Sequence, residues 1–216
     1  MIVLQTNVPE YPVKRGKVRD VYDIGNDKLV IVSTDRISAF DFVLPNGIPE
    51  KGKVLTGVSK FWFDIIAKEM PTHFLTDDIH EMPKPFANDP ATFAGRTMMV
   101  KKCQVFPVEC IVRGYISGSG WNEYKDKGTV GGHPMPKHLQ ESQHLYGGLF
   151  TPSTKAETGH DENIDFAKFT ELVGGRKIAE ALRERSLAIY DRGAFEAWKK
   201  GIIIADTKFE FGLDKA

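Results

Sequence analysis

Over the first third of the chain, apolar residues fall into short runs separated by turn formers. Leu29-Val30-Ile31-Val32 follows Gly25-Asn26-Asp27, and with Val18 to Ile24 ahead of that turn the pattern predicts a β-hairpin. After Pro45 to Lys53 the period lengthens. Leu55, Val58, Phe61, Trp62, Ile65 and Ile66 recur at helical spacing, with Gly52 or Thr56 near the start, which predicts a helix packed into a core. Pro83, Pro85 and Pro90 break Pro71 to Thr97 into irregular sequence, predicting a connection between two lobes with a boundary near residue 95. Thr97 to Val105 and Val108 to Arg113 are two further β-type runs around a turn at Phe106-Pro107. From Gly114 to Asn163 glycine and proline are dense and periodicity is weak, and a loop of that length inside a compact domain implies function or ordering by a ligand. Ile164 to Val173 and Ile178 to Tyr190 are predicted helices, the second with Ile178, Ala181, Leu182, Ala188 and Ile189 on one side and Phe195 and Trp198 extending its packing. Gly201 to Ala205 reads as a buried strand.

With 216 residues the chain is long enough for one large or two modest domains with their own cores. Its 29 basic and 29 acidic residues cancel, so no global field favours a nucleic acid or an acidic membrane as partner. Its longest apolar runs are strand-sized, far below the roughly 20 residues of a membrane helix. The start, Met1-Ile2-Val3-Leu4-Gln5-Thr6-Asn7, has no signal-peptide pattern, which makes the cytoplasm the expected location. Cys103 and Cys110 lie in apolar strand-like sequence and read as two buried thiols. The six histidines are not spaced as zinc ligands.

Two segments carry candidate chemistry. Gly16-Lys17-Val18-Arg19-Asp20 opens the first hairpin strand, where Lys17 and Arg19 share a face. They make either a lid whose cations and amides cover phosphates or a solvated edge strand. In Asp206-Thr207-Lys208-Phe209-Glu210-Phe211-Gly212 the alternation puts Asp206, Lys208 and Glu210 on one face and Thr207, Phe209 and Phe211 on the other. Lining a cleft, these three would bind a cation through Glu210, fix a substrate through Lys208 and accept a proton through Asp206. On an exposed edge they would be an ordinary ion-paired face.

Taken in order, six blocks resemble one family, the SAICAR synthetases (phosphoribosylaminoimidazole-succinocarboxamide synthases), in their longer, yeast-like branch. The blocks are Gly16 to Tyr22, Ser33 to Asp41, Ile48 to Gly52, Pro107 to Tyr115, Phe150 to Glu157 and Ile203 to Gly212; Pro-Val-Glu-Cys-Ile-Val-Arg and Asp-Thr-Lys-Phe-Glu-Phe-Gly are the two signatures. The resemblance implies an α+β, two-lobed, ATP-grasp-like fold with the nucleotide in a cleft between lobes 1–95 and 96–216, and a substrate-binding loop over 114–163. It implies an ATP- and Mg2+-dependent ligase of purine biosynthesis joining carboxyaminoimidazole ribonucleotide to L-aspartate through an acyl phosphate, with small molecules as its partners. By the same resemblance Gly16, Lys17, Val18 and Arg19 cover the ATP phosphates, and Lys101, Lys102, Cys103 and Val105 lie along the adenine. Arg113 and Ser119 hold the ribonucleotide, Asp206 and Lys208 contact its imidazole and carboxylate, and Glu210 binds magnesium. Ser38, Asp41, Ser153, Thr154 and Lys155 are candidates for holding aspartate or the ribonucleotide. The family pattern continues with a strand bearing an Asp-Glu pair and a Pro-Asp-Ser-Ser-Arg segment, whereas this chain stops at Ala216. The expectation is therefore a fragment of a longer enzyme or a shortened homologue, and the alternative function is nucleotide binding with little or no catalysis.

Overall fold

A computed structural model of the chain describes residues 1–40, 42–155 and 162–214. The described residues mix helix and sheet in two compact units, Met1–Cys103 with the chain end from Asp214, and Gln104–Leu213. The division falls after Cys103 rather than at residue 95, because the strand Thr97–Lys101 completes the first unit's sheet.

The first unit is built on β1 (Val13–Arg15), β2 (Arg19–Gly25) and β3 (Lys28–Ser33). A small hairpin, β4 (Ser38–Ala39) with β5 (Phe42–Val43), precedes helix α1 (Lys51–Ile66). Strand β6 (Phe74–Thr76), the short helices α2 (Lys84–Ala87) and α3 (Pro90–Phe93), and β7 (Thr97–Lys101) complete it. The strands form one antiparallel sheet in the order β1-β2-β3-β7-β6. The β2–β3 turn works because Asn26 and Asp27 both adopt left-handed backbone, with φ of 51° and 53°, matching the twist of a tight hairpin. Tyr22, Val30 and Val32 face Phe86 and Phe93 in a core that excludes water from the sheet's inner side. The segment read as irregular thus holds a strand and two proline-started helices, with Asp89 capping α3 through the Thr92 N–H.

The apolar stripe of α1 is covered only over its second half, where Trp62, Ile65 and Ile66 are half-buried and Phe63 stacks on Phe74. Only Gly52 and Thr56 are buried on this helix, while Val54, Leu55, Val58 and Phe61 stand open, Phe61 at 52% exposure. Periodicity identifies which face is apolar and leaves open what covers it; α1 approaches the sheet on its small-residue side, at Gly52 beside the Ser33 carbonyl.

The second unit begins with β8 (Gln104–Val105), β9 (Val108–Tyr115) and α4 (Gly118–Lys127). The hairpin β10 (Thr129–Val130) with β11 (His133–Pro134), then β12 (His144–Phe150) and β13 (Ser153–Thr154), follow. Helices α5 (Phe166–Leu172) and α6 (Arg176–Trp198) lead to β14 (Asp206–Phe209) and β15 (Gly212–Leu213). Strand β9 is the centre. It pairs with β13 through Val108 and Glu109, with β12 through Val112, Arg113 and Tyr115, and with β14 along Cys110–Arg113. Val108, Cys110 and Val112 point into a core shared with Phe169 and Val173, and with Ala179, Leu182 and Tyr190 of α6.

Several expectations for this half are corrected. Much of the segment from Gly114 to Asn163 is ordered, because Ile116, Val130 and Leu145 close a small core of their own with Trp121 and Tyr124 packed against it. The buried stripe of α6 runs through Ala179, Leu182, Ser186, Ile189 and Tyr190, leaving Ala188 exposed. Phe195 and Trp198 do not extend the core; Trp198 is 65% exposed. Gly201 to Ala205 forms no strand, and Ile202 and Ile203 are exposed. Of the two thiols only Cys110 is buried, Cys103 being half-buried.

Candidate functional site

Strand β9 alternates between two environments, one face feeding the helical core and the other carrying Glu109, Ile111, Arg113 and Tyr115. Arg113 is only 3% exposed, and its guanidinium is held from three elements at once. Nε donates to Thr151 Oγ1 at 3.1 Å, Nη1 to Asp206 Oδ2 at 3.1 Å and Nη2 to Ser119 Oγ at 2.8 Å. Asp206 reaches it because β14 is registered with Asp206 directly opposite Arg113. Ser119 reaches it from the first turn of α4, where Gly120 makes the close approach possible: a Cβ there would lie 3.1 Å from Arg113 Cδ and Nε. Burial pushes the Arg113 guanidinium below its ordinary value, against the pull of Asp206 and Glu123.

Glu123 secures the helix that carries Ser119. Its carboxylate accepts from Thr129 Oγ1, from the Gly131 and Gly132 N–H groups and from Asn163 Nδ2. Burial alone would raise its pKa, but these donors hold it below the usual carboxylate range. The cavity beside it, about 780 Å³ in volume, is lined by Asn122, Asp126, Lys127, Glu162 and Asp165 among others, and none of the individual side chains expected at the site lines it.

Along β14 the predicted alternation holds: Asp206 and Lys208 are exposed, while Phe209 packs on the core. Lys208 Nζ lies 2.7 Å from Glu109 Oε2, an ion pair without hydrogen-bond alignment, since that buried oxygen has no hydrogen-bond partner among the described residues. Ser153, directly opposite Glu109 across the β9–β13 ladder, also buries an unpartnered Oγ. Glu210 sits just past β14 and pairs with Lys155 at 2.8 Å. Thr154 is committed locally: its N–H donates to the Glu162 carbonyl and its hydroxyl accepts from the Glu162 N–H. The second unit therefore gathers Arg113, Ser119 and Asp206 into one cluster and ties Lys208 and Glu210 to partners beside it.

In the first unit, Lys17 is not on a strand. Gly16–Val18 is the loop between β1 and β2, so the cation-bearing hairpin is β1–β2 and not β2–β3 as its sequence reads, and Arg19 opens β2. Both cations are exposed. The short strand Val13–Arg15 has only three residues and too little alternation to stand out. Lys101 pairs with Asp214 at 3.3 Å and Lys102 with Asp23, while Cys103 precedes β8, which carries Val105. Ser38 lies on β4 opposite Val43, and Asp41 lies outside the described residues.

Among the described residues no three His, Cys, Asp or Glu side chains gather as a metal cluster. The donor set at Glu210 fits Mg2+ as a single carboxylate, the way that ion is held when phosphates and water supply its other ligands.

Sequence reasoning missed Thr151, Glu109 as the Lys208 partner, and Arg36. Period two along β9 places Glu109 on the Arg113 face and was the available signal for it; Thr151 is reached only through the β12–β9 pairing, for which the sequence offers no marker.

Comparison with known proteins supplies the identity. The family model for SAICAR synthetase matches residues 12–216. The chain belongs to the SAICAR synthetase family. A phosphoribosylaminoimidazole-succinocarboxamide synthase of Desulforapulum autotrophicum is 56% identical over 98% of this chain and 72% of its own length. That of Geobacter sulfurreducens is 52% identical over the same shares. The structure of the Saccharomyces cerevisiae SAICAR synthase complexed with SAICAR superposes with a TM-score of 0.89 at 40% identity, covering 99% of this chain and 72% of the yeast one. A type-2 SAICAR synthetase in complex with ADP shares the fold at a TM-score of 0.74 and 24% identity, over 94% of this chain and 76% of that one. The chain thus has the α+β SAICAR synthetase fold, and no helix among the described residues is long and apolar enough to cross a membrane.

Proposed function

We infer that the chain is an ATP-dependent ligase of purine biosynthesis that joins the carboxylate of carboxyaminoimidazole ribonucleotide to the amino group of L-aspartate, releasing ADP and phosphate. The observation that carries this reading is the Arg113 cluster: a buried guanidinium, braced by Thr151 and Ser119 and balanced by a half-exposed Asp206, in a chain of this family. A guanidinium fixed in that way presents a planar donor set suited to a phosphate or a carboxylate.

A carboxylate is a poor electrophile. ATP activates it when one of its oxygens attacks the γ-phosphorus and the bond to ADP breaks. The aspartate nitrogen then attacks the acyl carbon, phosphate departs with the former carboxylate oxygen, and the amine proton passes to solvent. The protein's task is mainly to position charged groups and offset their repulsion. In this reading Lys17 and Arg19 of the β1–β2 hairpin neutralise the nucleotide phosphates, with Gly16 and Val18 supplying backbone. Lys101 to Val105 lies along the adenine through its backbone, the two lysines being engaged by Asp214 and Asp23. Arg113 and Ser119 hold the ribonucleotide, Asp206 its imidazole and Lys208 its carboxylate, with Glu109 steadying the Lys208 ammonium. Mg2+ would be held by Glu210 and would supply positive charge beside the transferring phosphoryl group. Freeing Glu210 from Lys155 costs little, because both partners are exposed. The released Lys155 ammonium, with Ser153, suits the dicarboxylate of L-aspartate; Ser38 remains a second candidate for this role.

Steady-state ADP release with and without each substrate tests the assignment. ADP formed in equal amount to the succinocarboxamide product, seen by mass spectrometry, when both carboxyaminoimidazole ribonucleotide and L-aspartate are present, and no ADP without the ribonucleotide, is the expected result. ATP turnover that ignores the ribonucleotide, or that yields no succinocarboxamide when both substrates are present, would refute it.

A further inference from the structure

Among the described residues of the first unit, the Arg36 side chain makes five hydrogen bonds. Its side chain is 12% exposed and reaches the loop Gly16–Arg19 from beneath. Nε donates to the Lys17 carbonyl at 3.0 Å, and Nη2 to the Gly16 and Arg19 carbonyls at 2.9 and 3.2 Å. Nη1 donates to the Leu4 carbonyl, and Nη2 also meets Asp20 Oδ1 at 2.9 Å. The remaining loop carbonyl, that of Val18, accepts from the Thr34 N–H at 3.1 Å and from Thr34 Oγ1 at 2.8 Å. Asp20, fully buried, is fixed in turn by the Thr6 N–H and hydroxyl.

Every carbonyl from Gly16 to Arg19 is therefore engaged by Arg36 or Thr34, that of Arg19 also accepting from the Gly16 N–H at 2.8 Å. Because a trans peptide is planar, with N–H opposed to C=O, drawing in the Gly16 and Lys17 carbonyls turns the Lys17 and Val18 N–H groups the other way. A loop with its carbonyl dipoles withdrawn and its N–H dipoles turned outward is a concavity for anions. Without the guanidinium the Gly16 and Lys17 carbonyls would be free to rotate toward an incoming phosphate and repel it.

We propose that Arg36 is the positioning residue of the nucleotide-phosphate loop, setting affinity for the phosphate chain without touching it. The proposal rests on the reading that the Gly16–Arg19 loop covers ATP phosphates. It also accounts for the shape of the block Ser33-Thr34-Asp35-Arg36: Thr34 and Arg36 hold the loop, while Asp35 between them bonds the Val3 and Gly52 N–H groups.

Calorimetry with Mg-ATP, Mg-ADP and adenosine on the full chain tests it, using Arg36→Gln, Thr34→Val and Lys17→Ala. Arg36→Gln is expected to weaken ATP and ADP at least tenfold while adenosine binds within twofold of the parent, a split that a general loss of structure would not produce. Thr34→Val, nearly isosteric and deprived of the hydroxyl that donates to the Val18 carbonyl and accepts from the Arg36 N–H, is expected to weaken ATP several-fold with adenosine unchanged, and it decides the matter should Arg36→Gln not fold. Adenosine affinity falling in step with ATP overturns the proposal, as does unchanged ATP affinity in the foldable variants. If Lys17→Ala weakens ATP but neither Arg36→Gln nor Thr34→Val does, Arg36 loses its role and the loop keeps its own. If Lys17→Ala leaves ATP unaffected, the reading of the loop fails and takes the proposal with it.

Discussion

Replacing Arg113 with Met separates the ribonucleotide from ATP. The substitution keeps most of the side chain's length and removes a guanidinium that is 3% exposed and bonded to Thr151, Asp206 and Ser119. The charge left behind, Asp206, is 45% exposed and rehydrates, so the large penalty of stranding a buried ion does not apply. Thr151 is fully buried and loses the donor to its hydroxyl oxygen, which costs about 1–3 kcal/mol of stability. Binding of the anionic ribonucleotide suffers more, because its own charged group then has no partner: about 2–4 kcal/mol, or roughly 30- to 700-fold in Kd. Lys in place of Arg recovers little, since one ammonium cannot serve Thr151 just past β12, Ser119 on α4 and Asp206 on β14 together. Titration calorimetry with the ribonucleotide and with Mg-ATP, alongside urea unfolding, measures all three effects. Equal losses for both ligands, or an unchanged ribonucleotide Kd, would refute the reasoning.

Asp35 is buried in an ion pair with Arg96 at 2.8 Å; burial pushes its carboxyl up, but Arg96 and the Val3 and Gly52 N–H groups hold it below its ordinary value of 3.8. Its folded-state pKa being depressed, its contribution is present above that ordinary value and is lost as pH falls through the folded one, so Asp35→Asn should cost about 3–5 kcal/mol at pH 7 and progressively less below about pH 4 in urea titrations. A deficit independent of pH would contradict this. Gly114→Ala should destabilise the second unit, because a Cβ there would lie 1.8 Å from the Tyr190 hydroxyl that donates to the Ile204 carbonyl; the double variant with Tyr190→Phe should recover part of the loss in thermal melts. Burial pushes the Cys110 thiol up to about 12 despite the Ser186 hydrogen bond, so alkylation of the native protein at pH 8 should label Cys103 and spare Cys110 by mass spectrometry.

The parts of this fold legible in the sequence are those in which one strand or turn decides its own form. The β2–β3 hairpin follows from Asn26-Asp27 between alternating runs, and the open charged face of Asp206 and Lys208 follows from period two. Coverage was not legible. The first half of the stripe on α1 and the aromatic end of α6 have the periodicity of buried faces and are exposed, because amphipathicity does not name the neighbour. The long segment after Gly114 hid α4 and β12, since α4 buries only Gly120 and β12 bends at Gly147 and Gly148, both with positive φ. At the candidate site, residues that present charge were visible, whereas those that work through the backbone or across the sheet, Arg36 and Thr151, required the three-dimensional pairing.

The central claim is that this chain activates a carboxylate by phosphorylation before forming the amide bond. Carboxyaminoimidazole ribonucleotide carrying 18O in both carboxylate oxygens, incubated with ATP and L-aspartate, tests it directly. One labelled oxygen in each inorganic phosphate, and one retained in the amide of the product, is the predicted result. Unlabelled phosphate accompanying product would contradict it.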